Sequence, residues 1–368
     1  MQLRAAVIAT LSFFACLGTS LPLLAQDLSA QGTPTLRVEA ASNASPSPQS
    51  VQSPVLGFVS SAPLPPLRGR SRSTSRVRAI LGVPGAATLS IPLVFPEGVR
   101  ALRFAPGQNY ALAEMPGGVL AVLPFRGEQV GSPVPLPGAI SSPDIVAFSP
   151  GASAAAFFSA GQSRLVIITG LPGSPQLSRD LTGADLPENV QKLALANDGS
   201  TVLASTGDGA VFVLRPGGAP ELVYMAGSSS AVAFAPGSMD AVVFDGSGSK
   251  AVLIQNAASA PAPRLLAQGL PALTGTVLLQ VELGDAILGA VGATELYRIN
   301  LQTLQVDQLA LPAPLTTLQP LRTAHRFLIS AEPDRPAWVL DTTGPAMQAS
   351  FVPQQTGTVF DGSGGGRR

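Results

Sequence analysis

The chain has 368 residues, with 22 Lys and Arg against 22 Asp and Glu, one His and one Cys. Only 12% of residues are charged, about half the usual ~25%, while 38 Gly, 35 Pro and a 46% hydrophobic share leave room for a large core cut by many turns. A single Cys excludes a disulfide framework and a Cys-ligated zinc site, a single His excludes a His-rich metal centre, zero net charge argues against a dedicated nucleic-acid binder, and few charges among many turn residues argue against a coiled coil or helix bundle.

Residues 1–25 read as an export signal. Arg4 is followed by an uncharged run from Ala5 to Leu24, broken by Pro22 just before Ala25. A basic start, an apolar centre and a small residue at the cut are the marks of a signal peptide, with cleavage expected after Ala25. Pro22 and the polar Thr19-Ser20 pair argue against an uncleaved anchor. Phe13-Phe14-Ala15 is a poor context for lipidation of Cys16. Cleavage removes the only Cys, so the mature chain carries no thiol chemistry and no membrane span. That fits the oxidising outside of a bacterial cell, periplasm or surface. The basic residues are Arg except for Lys192 and Lys250, a skew read as codon bias.

Residues 26–76 are rich in Ser, Pro, Gln and Ala, and no hydrophobic period survives beyond a few residues. Such a segment buries too little apolar surface to offset its ordering entropy, so a disordered linker is expected. It ends in a basic cluster of Arg68, Arg70, Arg72, Arg76 and Arg78, with no acid between Glu39 and Glu97. The cluster could attract an anionic partner. With no aromatic residue interleaved, base stacking is unsupported, and a solvated spacer end is the simpler reading.

From Val77 the pattern changes to short apolar runs separated by Gly, Pro, Ser, Asn and Asp, which is strand punctuation. A strand closed by a turn recurs as ALRFAPG (Ala101–Gly107), IVAFSPG (Ile145–Gly151), LALANDG (Leu193–Gly199) and AVAFAPG (Ala231–Gly237). Hairpins follow, with turn centres at Gly117, Gln162, Asp208, Gly248, Ala293 and Pro333. A further extended stretch comes after each hairpin. Four strands in about 43 residues is the signature of a β-propeller, whose blades hide two apolar faces by standing side by side. The segment Val77–Phe95 has the order of a third and fourth strand, and Thr356–Gly362 (TGTVFDG) looks like a lone first strand. The expected fold is therefore all-β: a propeller over residues 77–361 with seven blades, one shared between the termini. Six blades with a supplementary closing strand is the alternative. Residues 362–368 form a Gly-rich tail expected to be disordered.

The repeats resemble the WD40/YVTN-like group of propellers, through the pattern apolar-x-Phe-[Ala/Ser]-Pro-Gly and hairpins such as Thr201–Leu214 (TVLASTGDGAVFVL). The resemblance covers residues 77–361. It implies a rigid disc that binds partners through its rims or central funnel.

Catalytic chemistry finds little support. His325 lies in a loop beside Arg322 and Arg326, and no Gly-x-Ser-x-Gly elbow accompanies it. Asn197–Ser200 and Thr206–Ala210 resemble fragments of a calcium loop but lack its downstream Glu, and read as tight turns. No catalytic residue, cofactor or metal is expected. The fourth-to-first-strand loops gather around one mouth of a propeller. Here they carry Glu97, Asp144, Asp185 and Glu188, an acidic side suited to a cation or basic partner. The expected function is an exported, non-enzymatic, monomeric binding disc for a protein or glycan partner, with no nucleic acid. The alternatives are an envelope assembly subunit and a hydrolase or lyase using carboxylates at the channel mouth.

Overall fold

Alternation of apolar side chains along short strands gives seven sheets, each apolar on both faces. The computed structural model describes residues 53–60, 77–227, 230–330 and 335–354. The expectations for the signal peptide, for Arg68, Arg70, Arg72 and Arg76, for the Thr356–Gly362 strand and for the tail lie outside these residues.

Blade 1 contains β1 (Val55–Ser60), β2 (Val77–Val83) and β3 (Ala86–Pro92). Blade 2 contains β4 (Ala101–Phe104), β5 (Tyr110–Glu114), β6 (Leu120–Arg126), β7 (Gln129–Val130) and β8 (Val134–Pro135). Blade 3 contains β9 (Ile145–Phe148), β10 (Ala154–Ser159), β11 (Arg164–Thr169) and β12 (Gln176–Thr182). Blade 4 contains β13 (Val190–Leu195), β14 (Val202–Thr206), β15 (Ala210–Leu214) and β16 (Glu221–Met225). Blade 5 contains β17 (Ser230–Phe234), β18 (Ala241–Asp245), β19 (Lys250–Gln255) and β20 (Ala262–Gln268). Blade 6 contains β21 (Val277–Glu282), β22 (Asp285–Ala290), β23 (Glu295–Asn300) and β24 (Val306–Ala310). Blade 7 contains β25 (Gln319–Pro320), β26 (Arg326–Ser330), β27 (Ala337–Asp341) and β28 (Gln348–Val352). Within each blade sequential strands pair antiparallel, except that β8 of blade 2 pairs with β6. Inner strands β9, β13, β17 and β21 touch their neighbours in turn. Two short 3-10 turns, Pro116–Gly118 and Gly183–Asp185, are the helical elements of the described residues.

The core divides into seven apolar clusters, one at each junction between adjacent blades. The period of two decides which side a residue serves. On β10, Ala155 and Phe157 face blade 2, while Ala154, Ala156 and Phe158 face blade 4. On β18, Val242 and Phe244 face blade 6, while Ala241 and Val243 face blade 4. The cluster of Leu56, Ile80, Leu328 and Val339 joins blade 1 to blade 7 and closes the ring. Phe157 and Phe244 are fully buried, and each contributes about 1.5–3 kcal/mol of hydrophobic stabilisation.

One segment corrects the linker expectation. Val55–Ser60 is a strand within the span read as a disordered spacer, pairing with β2 from Ser60↔Val77 to Val55↔Leu81. Leu56, Phe58 and Val59 are buried. Their stabilisation comes from non-local partners, β2 on one side and blades 2 and 7 on the faces, which composition averaged over fifty residues does not register. Past β28 the chain returns to the same sheet: Leu89 N–H donates to the Pro353 carbonyl at 3.0 Å, in a parallel bridge of Leu89 with Gln354.

Candidate functional site

The four predicted acids are exposed in outer-to-inner loops on successive blades. Glu97 lies between β3 and β4, Asp144 just before β9, and Asp185 and Glu188 between β12 and β13. Asp144 has a local task. Its Oδ2 accepts the Ala160 N–H at 2.8 Å and clasps the loop to the β10–β11 hairpin. Asp245 makes the corresponding clasp in blade 5, accepting from Gly227 and Gly248 N–H groups. Burial pushes the Asp245 carboxyl up, but those two donors, the Ser247 hydroxyl and the Lys250 charge outweigh it and hold it below its ordinary value. Among the described residues no three His, Cys, Asp or Glu side chains converge, so the loop acids do not form a joint cation cluster. Arg78 is half-buried in β2, opposite Val59.

Sequence reasoning missed a series of arginines that tie blades 3 to 7 in succession, and blade 7 to blade 2, through backbone carbonyls. Arg179 of blade 3 donates to the Ser200 and Arg215 carbonyls at 2.9 and 3.0 Å. Arg215 follows blade 4's third strand and donates from Nε to Ala257 at 3.0 Å. Arg264 of blade 5 reaches Leu301 at 3.4 Å. Arg298 of blade 6 donates to Thr342, Gly344 and Pro345 carbonyls of blade 7. Arg322 of blade 7 passes over the Phe58 ring of blade 1, 4.9 Å from its centroid, and donates to the Gln108 and Phe125 carbonyls of blade 2. Burial lowers the pKa of Arg179, against the opposing Asp185 charge, and that of Arg322. The planar five-donor guanidinium suits this use better than an ammonium. The spacing of these arginines is irregular and their host strands differ, so no periodic signal marks them.

A cleft of about 610 Å³ opens between blades 6 and 7. Arg298, 7% exposed, forms its floor. Its Nε and Nη2 both donate to Asp307 Oδ2, at 3.1 and 2.6 Å. With the three carbonyls, this engages every nitrogen of the guanidinium, so Arg298 is a staple. Asp285 and Asn300 stand on one wall, joined at 3.1 Å. His325 and Thr342 stand on the other. His325 has φ +61, a left-handed conformation that costs a non-glycine residue about 1–2 kcal/mol. The turn is held by its carbonyl, which accepts the Thr342 N–H at 2.9 Å and hydroxyl at 3.1 Å. The Thr342 hydroxyl is thereby turned to the His325 backbone rather than its ring, which is not the geometry of a base activating a nucleophile. Next to this turn, burial raises the Glu282 pKa, against the charge and backbone N–H of His325 and with the added repulsion of Asp285.

The outer strands form the remaining surface of note. Ile91, Leu177, Leu222, Leu265, Val306 and Phe351, each from a different blade, are 40–73% exposed, and Val134 is 41% exposed in blade 2. Bulges interrupt the outer strands of blades 3, 4 and 5 beside Leu177, Leu222 and Leu265. Such bulges twist an edge away from open-ended strand pairing. They keep the apolar side chains presented while disfavouring fibrous growth.

Seven blades, seven apolar junctions and a closed ring define the class: a seven-bladed β-propeller. No protein-family model and no curated protein matches the chain. Among solved structures it is similar to a chain of one described as the crystal structure of mitotic checkpoint complex, at 10% identity and a TM-score of 0.47, over 70% of this chain and 80% of that one. No helix of the described residues is long and apolar enough to cross a membrane.

Proposed function

We propose that the protein is an exported binding propeller, a rigid scaffold that engages a protein partner through its outer rim. One observation carries this reading. Blades 3 to 7 each spend an arginine on a carbonyl of another blade, while every blade leaves a large apolar side chain on its outer strand in solvent. Apolar side chains on a preorganised surface are suited to association, because little ordering entropy opposes binding. The run from Ala5 to Leu24 and the Cys-free remainder of the chain support export. An envelope assembly subunit would use the same rim.

The test is affinity capture with protein recovered from an extracytoplasmic fraction, whose first residue should be Gln26. Wild type is compared with a variant carrying Leu177→Ser, Leu222→Ser and Leu265→Ser. Capture of the partner should fall about tenfold or more in the variant, as expected for loss of ~1.4 kcal/mol or more. Undiminished capture would show that the partner does not bind the rim.

A further inference from the structure

The cleft between blades 6 and 7 has a chemistry that the rim does not share. Apart from Gly344 and Pro345, every residue lining it has a polar or charged side chain. Its volume of about 610 Å³ falls within the range of small-ligand sites, ~300–1,000 Å³, but most such sites are largely apolar. A ligand retained here must carry hydrogen-bonding groups over most of its surface.

The lining also mixes donors with acceptors. Asn300 commits one amide N–H to Asp285 and Gln305 commits one to Asp307, leaving a second N–H on each amide. Asn300 engages one Asp285 oxygen, at 3.1 Å, and the other oxygen is an acceptor. The Thr303 hydroxyl and the His325 ring can each donate and accept. An alkylammonium offers donors alone and would face these amide N–H groups without a match. A phosphate offers acceptors alone and would face the Asp285 and Asp307 charges. A hydroxyl group is both donor and acceptor and satisfies either kind of neighbour. Arg298 neutralises Asp307 and Asp285 is shared with the Asn300 amide, so the lining carries one uncompensated carboxylate charge, too little to demand a strongly charged ligand.

We infer that this cleft binds a saccharide, either a free sugar or a unit of a glycan chain, through alternating contacts of its hydroxyl groups with Asp285, Asn300, Thr303, Gln305 and His325. The inference rests on the reading of the protein as a binding module and uses a site distinct from the rim.

The experiment takes the mature full chain, residues 26–368. An array of neutral oligosaccharides is screened first. Calorimetric titrations follow with the free monosaccharides of the oligosaccharides bound, and with putrescine and inorganic phosphate as competing chemistries. Binding to a saccharide is expected, weakened about tenfold or more by Asp285→Ala and by His325→Asn, the latter keeping a residue that tolerates positive φ. Thermal unfolding of both variants is measured alongside. If either loses its fold, Thr303→Val at the exposed edge of the cleft decides in its place. Binding on the array without binding of monosaccharides assigns the site to a glycan chain, and binding of both assigns it to a free sugar. The inference is overturned if no saccharide binds, if the variants bind undiminished, or if the cleft takes putrescine or phosphate instead. The rim variant should retain saccharide binding, and the cleft variants should retain protein capture, so either reading can fail without the other.

Discussion

Arg298 illustrates how a buried charge can be worth keeping. Removing it leaves Asp307 without its cation and three blade 7 carbonyls without donors. Asp307 is 33% exposed and keeps Gln305 as a donor, so the loss is that of charged hydrogen bonds to partly buried acceptors, about 1.5–3 kcal/mol. Arg298→Met, which keeps the aliphatic stem, should therefore lower the unfolding free energy by about that amount in urea denaturation. A change below ~1 kcal/mol would show that the carbonyls find other partners. Gly209 makes a different demand. Its φ is +88, and a Cβ there would lie 1.9 Å from the Ala226 carbonyl, so the β14–β15 turn accepts only glycine. Such turn glycines were legible from spacing alone. The arginines were not, because a staple is defined by the carbonyl it meets on another blade and nothing in the local sequence records that partner.

The blade was the most legible element. The strands starting at Ala101, Ile145, Val190 and Ser230, and the hairpins after them, were readable because alternation and turn residues are local properties. β1 was missed for the opposite reason: its six residues are stabilised by β2 and by blades 2 and 7, all distant in sequence. The junction of blades 6 and 7 makes a pH prediction possible. Burial raises the Glu282 pKa above its ordinary 4.5. Between that value and the raised one the native state binds more protons than the unfolded chain, so stability falls as pH rises through the window. Glu282→Gln removes this dependence while retaining an acceptor for the His325 N–H. The variant should unfold at a higher temperature than wild type at pH 7 and at the same temperature near pH 4. Equal melting at both pH values would mean that the carboxylate is solvated at no cost.

At the scale of the whole molecule, seven junctions in a ring cover the apolar faces of the blades among the described residues, and this accounts for a chain so poor in charge. The candidate site was only partly legible. The loop acids were found because they stand out in a charge-poor sequence. The cleft was not, because its walls come from strands and loops of two blades and meet only when the ring closes. Outside the junctions each blade keeps at least one large apolar side chain exposed on its outer strand, and this rim is the proposed contact surface. The most direct test is site-resolved photo-crosslinking in cells, with a crosslinking amino acid at Leu222 on the rim, at Asp144 in the acidic loops and at Thr303 beside the cleft. Contact through the rim gives a protein adduct from Leu222 and none from Asp144. Adducts from Asp144 with none from Leu222 would place the partner on the acidic loops and contradict it.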